Sequence, residues 1–592
     1  MAHSSLRERY YDSREFKTSD KIKRLMLSKK YWQYFFPSLI TAIALSLSEF
    51  VDSMVVANLL DSDALGIVNL GTPLMTVMST IYMLFGAGGA IGYSESLGQQ
   101  DEKTAGEFFT CSTVATLSIS TVMLLLGIVF LIPFANLLSP GLVFGEEFLS
   151  YLRVLLYSMP FLTVVSMVFI FLPAAGSPNL SMALNIFANV LNLILDVVYI
   201  RVFHLGVNGA AYATLTSFIL AGLILAFVFR KTNLRFGRLN LKHLVPSVKK
   251  GMAMGLTQIG YTLKFGYCNR MASVLGGADA LIALTLCFQT ISIISIVLSG
   301  TNDTVRPLVA FMRSQEDFKG VRFVIFRTLQ VSMSVSIAFM ILLLVFPQSI
   351  TGMFNANEPE VLSIAFPALR IFSLTYLLRS VVVLYTAYTS IIGLTGYSMF
   401  LSLFDGFVGI IAICTVMIRF FGMYGIFITY PVDCFILVII MIIVNNHLAK
   451  KYPERFEDAW LIDKMRPDVH LMDIALPYLD KDISKLSEKA QDYCLNWGMS
   501  RFRAHQVGLC AEEMAVYTRQ HARKEDWLNL LLKVDDHKAV LDFRSLGSPF
   551  DLNVITEKDI EENFQMLRAI APAYSYTYSL GMNNTRFIFP LH

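Results

Sequence analysis

The amino-acid sequence matches itself when it is shifted by 216 residues, a shift that carries Asp63 to Asp279 and Gly206 to Gly422. Because the offset is the same at both ends of the match, no net insertion separates the two copies. Each copy consists mainly of apolar runs that are long enough to cross a bilayer. Two tandem membrane repeats of even helix number are typical of transporters, whose binding sites lie within or between the halves near mid-membrane.

The composition supports a membrane location. Of the 592 residues, 55% are hydrophobic and only 16% are charged, whereas soluble domains carry about 25% charged residues. We predict an all-α polytopic membrane protein with about 12 transmembrane helices in two tandem six-helix repeats. The net charge of +3 gives no reason to expect a nucleic-acid partner. The predicted spans lie near residues 32–57, 67–94, 106–134, 148–173, 180–203, 208–230, 250–275, 279–300, 322–348, 361–391, 397–419 and 424–447.

Changes in composition divide the chain into six parts. These are a leader (1–30), a first six-helix repeat (31–230), a basic loop (231–249), a second six-helix repeat (250–447), a charged linker (448–466) and a C-terminal domain (467–592), called the tail below. Basic residues in the leader, the loop and the start of the linker indicate that all three lie on the cytoplasmic side. We therefore expect a multi-pass protein of the plasma membrane with both termini in the cytoplasm.

Polar side chains inside the first repeat are functional candidates, because each costs about 3 kcal/mol to bury in lipid. Four of them recur every three or four residues on one face of the fifth span: Asn185, Asn189, Asn192 and Asp196. Glu49 and Asp52 share a face of the first span. These groups could simply hydrogen-bond between helices, but two acidic faces beside a stripe of amides favour a site that takes up a proton or binds Na⁺.

The second repeat carries different charges. Lys264 and Arg270 lie on the seventh span and Arg379 on the tenth, and Asp405 replaces Asn189 at the equivalent position. Lys264 and Asp405 can pair, which would offset the cost of burying both. The candidate cavity or substrate residues are Glu49, Lys264, Arg270, Arg379 and Asp405. In the first repeat, glycines at 86, 88 and 89 predict close packing of the second span against another helix.

Several motifs resemble the multidrug and toxic compound extrusion (MATE) transporters over about residues 30–447. They include Asp-Ser-Met-Val-Val-Ala at 52–57, Asp-Ala-Leu-Gly at 63–66 and Gly-Val-Asn-Gly-Ala-Ala-Tyr-Ala-Thr at 206–214. The resemblance implies that Asp52, Asn192, Asp196 and Thr214 bind the coupling cation, with Asn189 on the same face. No metal is expected beyond Na⁺ at that site. A carboxylate often found on the seventh helix of the family is replaced here by basic residues, which argues against a purely cationic substrate.

The resemblance implies a secondary active transporter, not an enzyme, that exports amphiphilic small molecules in exchange for H⁺ or Na⁺ as the two halves rock. No cofactor is expected. One alternative is a lipid-linked saccharide flippase of the wider superfamily, suggested by the basic residues Lys264, Arg270, Arg370 and Arg379. Another is a membrane sensor whose tail sequesters a regulator. The expected partners are the lipid bilayer, a small-molecule substrate and a cytoplasmic regulatory protein at the tail.

The tail has the composition of a soluble domain. Helical spacing at 482–496, 503–522 and 560–571 and alternation at 530–534, 539–543, 574–580 and 586–590 predict a helix-on-sheet α+β sandwich. Residues 509–521 and 544–551 resemble histidine-kinase-like ATPase domains of anti-sigma factor kinases. That family has a magnesium-binding Asn where Tyr517 stands and an adenine-binding Asp where Ser545 or Leu546 stands. The resemblance implies an ATPase fold with a degenerate nucleotide site at Glu513, Tyr517, Ser545 and Gly547, which binds neither ATP nor magnesium and serves regulation.

Overall fold

Long apolar helices form the chain as far as residue 451 in the computed structural model. The structure describes residues 13–60, 62–138, 145–353, 358–477, 480–521, 527–547, 549, 570 and 573–591. The helices of the first repeat, lobe one, are α1 (Ser13–Leu59), α2 (Ser62–Gly98), α3 (Glu102–Val129), α4 (Leu131–Leu138), α5 (Gly145–Ala174), α6 (Pro178–Val197) and α7 (Val207–Val228). Local signals start them: the Asp101 carboxylate accepts the Thr104 N–H at the start of α3, and Pro178 opens α6.

The second repeat, lobe two, follows the same plan. Its helices are α8 (Leu244–Ser314), α9 (Phe318–Val345), α10 (Gln348–Met353), α11 (Pro359–Ser373), α12 (Thr375–Ile391), α13 (Thr395–Leu403), α14 (Gly409–Phe421) and α15 (Tyr424–Lys451). The backbone of α8 breaks at Gly277, where φ is 64°. Only glycine adopts this conformation without strain, so the residue separates two arms that run in different directions.

Nine of the described helices are long and apolar enough to cross a membrane, or ten when α11 and α12, which meet at a 44° bend, count as one span. The predicted polytopic helical protein is confirmed, and the number of twelve spans stays a prediction. Helix ends differ from the predicted spans. The leader is helical from Ser13, and α8 begins at Leu244 and continues to Ser314. Apolar runs mark the lipid-facing part of a helix, whereas polar turns extend it beyond the membrane.

The two lobes contact each other where small residues allow the helices to approach closely. A Cβ on Gly88 of α2 would overlap the carbonyl oxygen of Ser247 on α8, and one on Gly251 would overlap that of Leu84. A second crossing brings Gly300 of α8 against Leu39 of α1. The predicted close packing of the second span is therefore confirmed at Gly88.

The tail is a small α+β domain. Its sheet has the order β1-β2-β3-β5-β4 with every neighbouring pair antiparallel. The strands are β1 (His470–Pro477), β2 (Trp527–Val534), β3 (Lys538–Leu546), β4 (Ala573–Ser579) and β5 (Met582–Pro590), and the helices α16 (Asp480–Asn496) and α17 (Arg501–His521) pack on one face. The sequence did not predict β1. The predicted helix at 560–571 lies outside the described residues except at position 570.

The other face of the sheet rests on the membrane domain, and this side is called the tail side below. Gln100 of lobe one donates to the Asn584 carbonyl at 3.2 Å, and Lys533 donates to the Gln315 carbonyl of lobe two at 2.7 Å. Lys30 of α1 donates to the Gly581 carbonyl at 2.6 Å. The tail therefore bridges both lobes and the leader part of α1.

A buried ion cluster lies at the centre of this interface. The Asp317 carboxylate accepts from Lys23 at 2.7 Å and from Arg544 at 2.5 Å, and Lys23 also contacts Asp473 at 2.6 Å. Asp317 and Arg544 are each only 1% exposed. Asp317 also caps α9 by accepting the Gly320 N–H at 2.9 Å. The carboxylate therefore joins the leader, lobe two and the tail.

Burial by itself would raise the pKa of Asp317, but the Lys23 and Arg544 cations outweigh it and hold that pKa below its ordinary range. Burial would lower the pKa of Lys23, but Asp317 and Asp473 outweigh it and raise that pKa. A carboxyl group whose pKa is lowered in the folded protein stabilises the fold at pH values above its ordinary pKa, and this stabilisation is lost on acidification. An amine whose pKa is raised in the folded protein stabilises the fold at pH values below its ordinary pKa, and this stabilisation is lost as the pH rises through the raised pKa. The Asp317 carboxylate and the Lys23 amine are therefore both charged between about pH 5 and pH 9.

We predict that Asp317→Asn weakens docking of the tail by about 3–5 kcal/mol, because it leaves buried cations without their anion. Thermal unfolding and the rate of protease cleavage in the linker measure the loss. Asp101→Asn is the matched control, because Asp101 occupies the equivalent cap in lobe one without contacting Lys23 or Arg544. Asparagine caps a helix about as well as aspartate, so this variant should cost less than about 1 kcal/mol. Equal losses in the two variants, or docking of the wild type that changes between pH 5 and pH 9, would contradict this assignment.

Candidate functional site

The predicted amide stripe lies on α6, but its members divide into two groups. Asn185 and Asn189 donate their side-chain N–H groups to backbone carbonyls one turn earlier, at 2.9 and 2.8 Å. They are half-buried, whereas Asn192 and Asp196 are buried, Asp196 being 2% exposed. The helix itself thus satisfies the first two amides, and the buried part of the stripe is its end at Asn192 and Asp196.

Three of the residues that the family resemblance assigned to the cation site lie on adjacent helices. The Asn192 side chain of α6 contacts the Thr214 hydroxyl of α7 at 3.5 Å. Asp196 interacts electrostatically with Tyr151 of α5, and a π-helical turn, Val198–Val202, begins two residues after Asp196. Such turns are frequent at functional sites. The arrangement gathers amide, hydroxyl and carboxylate oxygens, the ligands that a hard cation prefers.

The first-span candidates Glu49 and Asp52 belong to the helical backbone of α1. Their side chains lie outside the described part of the chain. Their assignment to the cation site stays a prediction.

A cavity of about 490 Å³ lies between α1, α2, α5, α6 and α7 of lobe one and α8 of lobe two. Hydroxyl and amide groups alternate with apolar groups along its wall. Examples are Ser38, Thr41, Thr76, Ser79, Asn185, Met83, Phe169 and Phe218. Asn185 connects the cavity to the stripe on α6, whose last member, Asp196, lies about 16 Å further along the helix. The volume is in the range of small-molecule sites.

Two charged residues of the cavity wall were missed by the sequence analysis. Asp303 and Arg306 of α8 line the cavity and form an ion pair at 3.0 Å. The apolar run that defined the eighth span ended near residue 300, so both residues fell outside the predicted spans. The helix continues for more than three further turns, and this brings the pair into the wall.

A second polar cluster is buried inside lobe two, and its pairing differs from the prediction. The Asp405 carboxylate accepts from Arg379 at 2.9 Å, and Arg379 also donates to the Tyr261 hydroxyl at 2.5 Å. Lys264 donates instead to the backbone carbonyl of Asp405 at 3.0 Å. The expected pair of Lys264 with the Asp405 carboxylate is wrong. The longer, forked guanidinium of Arg379 binds the carboxylate, and the Lys264 amine bonds to the backbone instead.

Asp433 of α15 belongs to the same region of lobe two. It is fully buried, close to Gly409, and neither carboxylate oxygen has a hydrogen-bond partner among the described residues. By contrast, Arg270 and Arg370 are exposed, and Arg370 donates to the Leu344 carbonyl at 3.2 Å. These two arginines therefore lie apart from the buried cluster of Arg379 and Lys264 around Asp405.

The predicted nucleotide-site residues of the tail lie in or beside its core. Tyr517 of α17 is packed in the hydrophobic layer between helices and sheet. Ser545 is buried on β3, on the same face as Phe543, and Gly547 accepts the Tyr578 hydroxyl at 3.2 Å. Burial, followed by the neighbouring Glu512, raises the pKa of Glu513.

Comparison with known proteins connects the membrane domain to one family. The MatE family model matches residues 37–198 and 253–415, which together exceed half of the chain, and the two segments begin at the same 216-residue offset as the internal repeat. The multidrug export protein MepA of Staphylococcus haemolyticus is 25% identical over 409 residues, covering 66% of this chain and 87% of the relative. MepA of Staphylococcus saprophyticus is 27% identical over 379 residues, covering 62% of this chain and 82% of the relative.

Solved structures show the same fold. An outward-facing multidrug resistance MATE transporter of the MOP superfamily superimposes with a TM-score of 0.64 at 18% identity, covering 70% of this chain and 94% of that one. A MOP superfamily transporter from Pyrococcus furiosus, described as having a binding pocket of reverse polarity, superimposes with a TM-score of 0.63 at 19% identity and with the same coverage of both chains. With its repeat, its two helical lobes and the match of both to one family model, the chain belongs to the MatE family of transporters.

Proposed function

We propose that the protein exports amphiphilic small molecules across the plasma membrane in exchange for H⁺ or Na⁺. Two curated relatives are named multidrug export proteins. The observation that carries the proposal is the buried Asp196, with Asn192 and Thr214 nearby, at the end of an amide stripe that begins in the cavity wall. Mixed hydroxyl and apolar groups in the wall suit an amphiphilic substrate.

The coupling follows from the connection between cation site and cavity. A cation at Asp196 changes the charge at one end of α6, while substrate contacts Asn185 at the other end. Binding of one can therefore oppose binding of the other through a shared helix. As the lobes rock about their contacts at Gly88 and Gly300, the cavity is exposed to each side in turn. One cation that crosses about 100 mV supplies about 2.3 kcal/mol, which supports about fiftyfold accumulation of substrate.

The flippase alternative depends on a basic cavity that could hold a pyrophosphate. Asp405 neutralises Arg379 and accepts from Lys264 through its carbonyl, while Arg270 and Arg370 are exposed. These side chains do not form a common anion site in the described part of the chain. The observations therefore favour the exporter over the flippase.

For the tail we propose a regulatory role. It contacts lobe one through Gln100 and lobe two through Asp317. If the lobes separate on the tail side during transport, the tail must release at least one of them. Basic residues of the loop 231–249 support a cytoplasmic position for this side. A domain in this position can restrain the transporter or respond to a cytoplasmic partner, whether or not it has an ATPase fold.

We predict that Asp196→Asn abolishes concentrative export, because the neutral amide no longer changes charge with the coupling ion. The accumulation ratio of a fluorescent dye should fall by about fiftyfold, toward unity. The measurement uses proteoliposomes with an imposed proton gradient or sodium gradient, and the gradient that drives the wild type identifies the ion. Asp52→Asn should behave in the same way.

The matched control is Glu360→Gln, which neutralises an exposed acid in the first turn of α11 in the same membrane domain. It should export the dye like the wild type. Normal export by purified, correctly inserted Asp196→Asn would exclude the proposed coupling site and favour the flippase or the sensor.

For lobe two we predict that Asp405→Asn lowers the free energy of unfolding by about 3–5 kcal/mol, because it leaves Arg379 buried without an ion partner. The double variant Arg379→Gln with Asp405→Asn removes both charges and should recover part of that loss. Thermal unfolding of the purified variants gives both values. If Arg379→Gln instead kept full stability and lost only transport, Arg379 would be a substrate residue, as the flippase hypothesis requires.

We also predict that the full-length protein does not bind Mg-ATP saturably at millimolar nucleotide. Tyrosine cannot ligate magnesium as an asparagine amide does, and Tyr517 is packed in the core of the tail. Isothermal titration of the purified protein tests this, with Glu513→Gln as a variant that should give the same flat titration. Micromolar binding that requires magnesium would show that the nucleotide site is intact.

A further inference from the structure

A groove of about 560 Å³ lies between the leader part of α1 and the first turns of α9. Its wall contains one carboxylate, from Asp20, and a set of five cations. These are Lys23, Arg24, Lys319, Arg322 and Arg327. We call it the basic groove. It lies on the tail side but outside the cavity between the lobes, so the proposed transport path does not account for it.

The two arginines at the mouth of the groove have exchangeable partners. Arg24 pairs with Asp20 at 3.0 Å, and its side chain is 69% exposed. Arg322 contacts Asp458 of the linker at 2.6 Å and is 41% exposed. Exposed ion pairs of this kind contribute about 0–1 kcal/mol. Both guanidinium groups can therefore turn toward an anion in the groove at little cost.

Arg327 lies deeper in the groove. Its guanidinium stands over the ring of Trp32 at 5.5 Å, and its Nε atom is buried without a hydrogen-bond partner among the described residues. A guanidinium presents a planar fork of donors that matches a phosphate. Arg327 therefore adds to the cationic groove a guanidinium that stacks on Trp32 and has a buried, unused donor.

In lobe one the equivalent region is occupied by direct contacts between α3 and the loop 231–249, so the groove is a particular feature of lobe two. The 216-residue shift relates Arg322 to Gly106 and Phe323 to Glu107. Gly106 accepts the Gly237 N–H at 3.1 Å, which leaves little room for a side chain there. Glu107 accepts from Asn240 at 2.8 Å and contacts His243 at 3.0 Å.

The same shift relates Arg24 to Asn240 and Leu27 to His243. Glu107 of lobe one, which binds Asn240 and His243, thus corresponds to Phe323 in lobe two. Arg24 and Arg322 stand in the groove wall beside that phenylalanine. Cations that face each other across a groove repel one another unless an anion lies between them.

Apolar residues of the same groove indicate where the anion comes from. Leu27, Phe323 and Phe326 line it beside the cations. The groove follows the first turns of α9, a helix long and apolar enough to cross the membrane, and Trp32 lies at the same level. Tryptophan is enriched at membrane boundaries. Leu25 and Phe36 on this part of α1 are exposed, as expected for residues in contact with acyl chains.

We propose that the basic groove binds the phosphate headgroup of an anionic membrane phospholipid. The phosphate lies between Arg24, Arg322 and Arg327, and an acyl chain follows Phe323 and Phe326 toward the bilayer. Basic pockets beside membrane helices bind anionic lipid headgroups in this manner. Because α1 and α9 form opposite walls, the lipid also holds the leader against lobe two, next to the ion cluster at Asp317.

The test uses the purified full-length protein in a neutral detergent with a short-chain fluorescent phosphatidylglycerol as the probe. We expect saturable binding that phosphatidylcholine does not compete for. Arg24→Gln and Arg327→Gln should each weaken the apparent affinity about fivefold, and the double variant correspondingly more. Arg327→Lys keeps the charge and should recover part of the loss. Arg24 is exposed, so its variant stays informative even if Arg327→Gln folds poorly.

Arg238→Gln is the matched control, because Arg238 is an exposed cation of the basic loop on the same side of the membrane. It should bind the probe like the wild type. An equal loss in Arg238→Gln would mean that the lipid is attracted by the surface charge alone. Equal binding of phosphatidylcholine would exclude a headgroup site. Competition by millimolar inorganic phosphate to the same extent as by unlabelled phosphatidylglycerol would identify a site for free phosphate. Each of these three results would overturn the proposal.

Discussion

The Asp317 carboxylate holds three separate parts of the chain together. It accepts from Lys23 of the leader and Arg544 of the tail while it caps the helix of lobe two to which it belongs. Without it Arg544 would lose its ion partner in a buried position and Lys23 would keep only Asp473, and breaking a buried pair of this kind costs about 3–5 kcal/mol. The placement of the tail across the lobes depends on this ion cluster, which shares Lys23 with the basic groove.

Equivalent positions of the two repeats have diverged in a consistent way. Asn189 of lobe one satisfies its amide within its own helix, whereas Asp405 of lobe two binds Arg379. An acid buried beside an amide and a hydroxyl can still exchange a cation, but one already paired with a guanidinium cannot do so readily. In lobe one the buried acid Asp196 therefore stands near neutral polar groups, whereas in lobe two the acid equivalent to Asn189 is compensated by a guanidinium.

The sequence predicted what depends on local pattern and not what depends on distant contacts. The repeat, the apolar helices and the small-residue contact at Gly88 follow from periodicity and were confirmed. The contact of Asn192 with Thr214 could be anticipated only through the family resemblance. The pair of Arg379 and Asp405 could not, because it depends on the rotation of two helices about their axes. The cluster at Asp317 joins residues hundreds of positions apart, and no local signal marks it.

The physical character of the tail interface limits how it can be regulated. An interface fastened by exposed ion pairs would loosen with salt or moderate changes of pH. Lys23, Asp317 and Arg544 are instead buried, and the shifted pKa values of Lys23 and Asp317 keep both groups charged across the physiological range. Screening by salt acts weakly on buried pairs. Release of the tail therefore requires a competitor that supplies equivalent contacts, or movement of the leader that withdraws Lys23. A lipid in the basic groove would act on the second route, because it holds the helix that carries Lys23.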